Sequence, residues 1–189
     1  VAVIAMASAT MSSSSTSSTS ATPLTAIRFA ELAREAGYPE GVVNVVTGPG
    51  AAIGAQLAAD PRVDIIALTG DSAAGRRLMV AGAPTLKRLH LELGGKAPLV
   101  VFADADIETT ARGAVAGAFV NAGQDCTAAT RVIATPGIYQ DLVAALTEQA
   151  RNTVVGHPDN EDALFGPLNN ANQLAHVSSF FDNLGSHAQ

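Results

Sequence analysis

The sequence predicts an α/β protein built on open parallel sheets with flanking helices, and three observations lead there. Two strand-like runs, VVNVV at 42–46 and VDIIAL at 63–68, are each followed by a glycine-bearing turn and a helix-forming stretch, the repeating cycle of right-handed βαβ units. VDIIAL is apolar almost throughout, as a parallel strand covered on both faces requires. IYQDLVAALTEQARN at 138–152 has the apolar spacing of an amphipathic helix. With 189 residues and 48% apolar content, the chain has enough material to bury a core.

Taken in order, the chain opens on VAVIAMASA, an apolar run without the basic leader of a targeting peptide, read here as a fragment edge. Eleven of the thirteen residues at 10–22 are Ser or Thr, a bias that buries little apolar surface, so 1–21 is expected to be flexible and order to begin after it. Thr22-Pro23 reads as a helix N-cap followed by proline at the first position. Leu24, Ile27, Ala30, Leu32 and Ala33 then supply an apolar face up to a stop at Gly37.

After VVNVV come the turn GPG and the small-residue helix AAIGAQLAA; after VDIIAL, TGDSAAGRRLMVAG turns into a further helix. KRLHLEL and APLVVF are strand candidates on either side of Gly94-Gly95. Asp104 or Asp106 is placed to cap the helix IETTARGAVAGAFV, TRVIATP is a strand, and a last helix spans about 170–184. The glycine pair is read as a hinge, which divides the chain into 1–21, 22–93 and 94–189.

A net charge of −6 and a pI near 5.0 argue against nucleic-acid binding, because the basic residues are scattered and Arg76-Arg77 and Lys87-Arg88 are too short to form a patch. No apolar run approaches the roughly 20 residues that span a bilayer, so no membrane partner is expected. A single cysteine cannot form an internal disulfide or a cysteine-based zinc site, which favours a reducing compartment and makes the cytoplasm the expected location.

That cysteine, Cys126, lies in NAGQDCTAATR. Free cysteines are often buried and inert. Here Gly123 allows close backbone approach, and Asn121, Gln124, Asp125 and Thr127 are poor core neighbours, which favours a reactive thiol whose proton some partner must take. Glu92, in LHLELGGK, is the candidate for that partner. Strand alternation puts His90, Glu92 and Gly94 on one face and Leu89, Leu91 and Leu93 on the other. A carboxylate desolvated at the apolar end of a strand suits a general base, while the plainer reading is a strand-end surface glutamate. His90 has no further His or Cys to complete a metal set, so no metal is expected. VVTGPGAAIG and LTGDSAAG each place backbone N–H groups where a helix begins, which fits either phosphate binding or a tight turn, and neither matches the full dinucleotide fingerprint. The acidic stretches DADIE and PDNED read as caps and solvated loops.

LELGGK at 91–96 and FVNAGQDCTAATR at 119–131 together resemble the glutamate and cysteine motifs of the aldehyde dehydrogenase superfamily. The resemblance extends over about 22–184, through TPLTAIRFAELAREAG, GVVNVVTGPG, VVFADADIE and FGPLNNANQ. GQDCTAATR and GPLNNANQ look most like the gamma-aminobutyraldehyde dehydrogenase branch. The resemblance implies an aldehyde dehydrogenase-like fold, present in part: the end of an NAD-binding Rossmann-like domain at 22–93 and the start of a catalytic domain at 94–189. It also implies NAD as cofactor, with NADP left open, a small-molecule aldehyde as substrate, and homo-oligomers among full-length members. By the same resemblance Cys126 attacks the aldehyde, Glu92 activates the water that releases the acid, and the Cys126 N–H is an oxyanion donor. Gly48, Gly54, Thr69, Gly70 and Leu93 match positions that line the cofactor.

Two departures stand out. Ser17, Ser18, Thr19 and Ser20 occupy the place of a lysine-proline-serine-acid stretch that binds the adenosine ribose, and Asp71 replaces a serine beside the pyrophosphate, where its charge repels phosphate. They support a rival expectation, a catalytically incompetent fragment or interaction module with an inherited cysteine. A third class, a thiol peroxidase, would consume peroxide without responding to NAD.

Overall fold

The computed structural model describes residues 2–6, 14–18 and 22–185. They fall into two compact units, Val1–Gly94 and Gly95–Gln189.

The first unit carries a five-stranded sheet in the order β3-β2-β1-β4-β5, with β1 at Ala2–Met6, β2 at Ser14–Ser18, β3 at Val43–Thr47, β4 at Ile65–Gly70 and β5 at Arg88–Leu93. The pairs β2–β3 and β4–β5 are parallel, whereas β1 runs antiparallel to both its neighbours. The sheet is therefore mixed, not all-parallel as the sequence suggested. Strands β1 and β2 fall within the 1–21 segment, where the sequence placed no strand. Composition measures what side chains can bury, but ladder hydrogen bonds join backbone groups and accept serine as readily as valine. Residues 7–13 and 19–21 lie outside the described residues.

Helix α1 spans Leu24–Glu35, with Pro23 in the cap position one residue later than the Thr22 cap expected. Its end follows the sequence closely. Gly37 adopts φ +86, and the bonds Gly37 N–H to Arg34 O at 3.0 Å and Tyr38 N–H to Ala33 O at 3.1 Å complete a Schellman stop. The predicted apolar face is not buried within this unit, since Leu24 and Leu32 remain 76% and 47% exposed.

Helix α3 (Ser72–Gly82) lies against β4 and β5, and α2 (Gly50–Ala59) lies against β1 and β2 with Ala58 reaching the same core. The core there is Ala58, Val63, Ile66, Leu68 and Leu78, with Leu89, Leu91 and Leu93 packed against it. Strand β4 starts two residues later than VDIIAL suggested, which brings Thr69 and Gly70 into the strand. Lys87, 9% exposed, fastens this layer. Its Nζ donates to the carbonyls of Asp60 and Val63, joining the entry to β5 with the entry to β4.

The second unit is a βαβ crossover. Strands β6 (Pro98–Val101) and β7 (Arg131–Ala134) pair in parallel, and α4 (Ile107–Phe119) connects them. Asp106, one of the two caps expected, accepts from Thr109 N–H at 2.8 Å. Helix α5 (Tyr139–Arg151) buries Leu142 at 1% exposure beside Val101 and Ile138. Helix α6 (Ala171–Asp182) is capped by Asn170, which accepts from Gln173 N–H at 2.8 Å.

Candidate active site

In the first unit the candidate residues gather at the carboxyl ends of the strands, the edge where open α/β sheets bind ligands. The β4–β5 register sets Thr69 opposite Glu92 and Gly70 opposite Leu93. Gly48 directly follows β3, and its φ of +154 suits glycine. A Cβ there would stand 2.8 Å from Ile53 Cδ1.

A cleft of about 510 Å³ opens between α2 and α3, with Gly50, Gly54, Ala58, Asp71, Ala74 and Arg77 among its lining residues. Small side chains on both helices make the room. The two helix N-termini framing this cleft differ. Pro49 caps α2 without a side-chain hydrogen bond, leaving that end suited to an anion. At α3 the Asp71 carboxylate already accepts from Ala74 N–H at 2.7 Å. That bond above all, with a smaller attraction to Arg77, holds the Asp71 carboxyl below its ordinary range despite some desolvation. A larger cavity, about 620 Å³ between α1 and β3, contains none of the candidate residues in its wall.

Of the five predicted cofactor positions, Gly54 lines the cleft and Thr69 and Gly70 lead into its wall residue Asp71. Gly48 shapes the turn before α2. Leu93 belongs to the core, with its Cδ1 2.9 Å from where a Cβ on Gly75 would be.

Glu92 lies on the outward face of β5, and the alternation matches the sequence: Arg88, His90 and Glu92 are exposed, while the leucines turn toward the helices. The expected desolvation is absent within this unit, because the Glu92 side chain is 55% exposed. Instead it pairs with His90, Nε2 to Oε1, at 3.0 Å.

Cys126, in the second unit, is free and exposed on the loop between α4 and β7. Three successive residues before it are left-handed: Asn121 (φ 54), Ala122 (φ 55) and Gly123 (φ 74). For the alanine this is strained backbone, held by its surroundings. Asn121 Nδ2 donates to Gln124 O at 3.1 Å, and Gln124 Nε2 donates back to Asn121 O at 3.1 Å. After the cysteine, the buried Ala128 and the bond from Ala129 N–H to Gly117 O at 3.2 Å pin the loop to α4.

Asp125 closes the turn around the cysteine. Its Oδ1 accepts from Thr127 N–H at 2.8 Å and from the Thr127 hydroxyl at 2.9 Å, the Asx-turn geometry. These two bonds, with a smaller contribution from the Cys126 thiol, hold the Asp125 carboxyl below its ordinary range. Among the described residues no three His, Cys, Asp or Glu side chains gather as a metal site.

Sequence reasoning read Gly95 only as half of a hinge. It packs on the cysteine loop, where an added Cβ would stand 3.1 Å from the Cys126 carbonyl oxygen. Nearby, Arg131 Nε donates to Lys96 O at 2.8 Å, which ties the start of β7 to the segment before β6. Contacts between residues so distant in the chain have no local sequence signal. The Asn121–Gln124 exchange has one, in two amide side chains three residues apart.

Residues 2–188 match the sequence profile of the Aldehyde dehydrogenase family. Over 158 residues, 84% of this chain and 30% of the relative, the chain is 43% identical to the mitochondrial succinate-semialdehyde dehydrogenase of Arabidopsis thaliana. The structure of an NAD-dependent aldehyde dehydrogenase from Sinorhizobium meliloti superposes with a TM-score of 0.84 at 43% identity, covering 88% of this chain and 33% of that one. A gamma-glutamyl-gamma-aminobutyraldehyde dehydrogenase from Burkholderia cenocepacia gives 0.83 at 39% identity, covering 88% and 34%. The chain thus spans about a third of the length of these relatives. On the profile match and these identities, the chain belongs to the aldehyde dehydrogenase family.

Proposed function

We propose that this chain carries the nucleophile and general base of an NAD(P)-dependent aldehyde dehydrogenase, and that its substrate is an aminoaldehyde such as 4-aminobutanal. The observation that carries the reading is Cys126, a free thiol exposed on a loop whose backbone is fixed on both sides, in a chain of this family. Units 1–94 and 95–189 are read as parts of a cofactor domain and a catalytic domain.

Cys126 Sγ adds to the aldehyde carbon, and the Cys126 N–H donates to the oxygen as charge develops on it. What the dinucleotide supplies when bound is an acceptor for the substrate hydride. Cys126 then carries the acyl group as a thioester, and Glu92 takes a proton from the water that hydrolyses it. Support for the cofactor assignment comes from the α2–α3 cleft, which has Gly54 in its wall, and from the α2 N-terminus, which has no side-chain cap. NAD is preferred on the same resemblance. Asp125, anchored by Thr127 next to Cys126, is the group we assign to the substrate's ammonium. A likeness to the Burkholderia enzyme, whose name includes aminobutyraldehyde, points the same way. The cytoplasm remains the proposed location, on cysteine usage, while among the described residues no helix is long and apolar enough to cross a membrane.

One observation favours a second reading, that the chain is catalytically silent. Asp71 fills the α3 N-terminus with its own charge, where an anion would otherwise sit.

A panel of steady-state assays separates the two. With NAD, the chain is expected to form NADH from 4-aminobutanal and less efficiently from butanal, and Cys126→Ser to form none from either. Asp125→Asn should narrow the kcat/KM preference for the aminoaldehyde by roughly tenfold, the scale of one charge-assisted contact. No NADH from a folded chain supports the silent reading. An unchanged preference in Asp125→Asn removes the aminoaldehyde assignment alone.

A further inference from the structure

The exposed face of β5 contains one feature that the proposed chemistry does not use. His90 Nε2 lies 3.0 Å from Glu92 Oε1, and both residues stand two positions apart on the same side of the strand. Across the ladder, Ala67 faces His90 and Thr69 faces Glu92. The neighbouring strand therefore offers Glu92 no charge, and the imidazole and Arg88 are the basic groups that share its face. We propose that His90 is a positioning residue for Glu92: the imidazole, with Nε2 3.0 Å from Oε1, limits the orientations of the carboxylate.

The proposal rests on the reading of Glu92 as the general base. In the step concerned, the water oxygen bonds to the acyl carbon of the thioester and one water proton passes to the Glu92 carboxylate. The carbon–sulfur bond breaks, the acid leaves, and the electron pair returns to Cys126 Sγ. A glutamate with three free torsions spends little time in one orientation, and an imidazole on the same strand in contact with one oxygen restricts that search. Both side chains are exposed, at 68% and 55%, so the pair contributes little to folding, and its effect should be read in one chemical step instead.

Rapid-mixing measurements of NADH on the full chain resolve that step, because the burst reports formation of the thioester and the later steady rate reports its hydrolysis. His90→Ala is expected to keep the burst and lower the steady rate on the order of tenfold, part of the 10² to 10⁴ that a general base supplies. His90→Gln, which retains an N–H donor, is expected to recover part of that loss. If the burst and steady rate fall together in His90→Ala, or neither changes while Glu92→Gln slows the steady rate, the positioning role is overturned and the base stands. A Glu92→Gln variant with normal steady turnover overturns the base and with it this proposal. A chain with no Cys126-dependent NADH overturns the functional reading itself.

Discussion

Gly95 shows how tightly a single residue can bear on the Cys126 loop. Its missing side chain makes room for the Cys126 carbonyl, and a methyl group at 3.1 Å would force that carbonyl to move by a few tenths of an ångström. Adjacent Gly94 has nothing within 4 Å of the corresponding position. Gly95→Ala is therefore expected to lower Cys126-dependent NADH formation by about tenfold, since small misplacements near reacting atoms are costly, while Gly94→Ala changes it little. Equal losses from the two substitutions would show that Gly95 acts through chain flexibility and not through contact. Much of the residue-level placement was legible in the sequence. Strand alternation separated His90 and Glu92 from the leucines, and the polar neighbours of Cys126 pointed to an exposed loop. Missing were the left-handed Ala122 and the Gly95 contact, because the first is imposed by its surroundings and the second joins residues distant in the chain. Within its own unit Glu92 is also left exposed: strand periodicity gives the side on which a residue lies, not what covers that side.

Among the elements, helix ends were read well where a side chain or glycine specifies them, as with Asp106 on α4 and Gly37 after α1. Asp71 on α3 allows a quantitative test. Its folded-state carboxyl titrates below the ordinary range, chiefly through the Ala74 N–H bond. The bond's contribution to stability is therefore full above the unfolded carboxyl pKa of about 3.9 and disappears as the pH falls through the lower folded value. Asp71→Ala is expected to cost about 0.5–1 kcal/mol near neutral pH, the lower part of the range for a cap, because solvent screens an exposed carboxylate. Asp71→Asn keeps an acceptor without the titration. Denaturant melts across the acid range should show wild type and Asp71→Ala converging as the pH falls, with the gap from Asp71→Asn to Asp71→Ala nearly constant. Parallel acid profiles for wild type and both variants would contradict the cap. Strand limits were harder to read. VDIIAL placed β4 two residues early because Val63 is buried before the strand begins, and hydrophobicity alone does not distinguish a buried approach from a paired strand.

At the scale of the whole molecule, strand–turn–helix alternation predicted the α/β class and the crossover between β6 and β7. It did not predict β1 and β2, whose backbone pairing turns the first sheet mixed. The chain's place in the aldehyde dehydrogenase family agrees with the motif resemblance, and it covers about a third of its relatives' length. The central claim, that Cys126 is the acyl-carrying nucleophile, is open to direct observation. Glu92→Gln chain mixed with NAD and 4-aminobutanal, quenched in acid and digested, should yield the Cys126 peptide heavier by the aminobutanoyl group, and Cys126→Ser should yield no such adduct. NADH formation with no acyl group on Cys126, or with the group on another residue, would contradict the account.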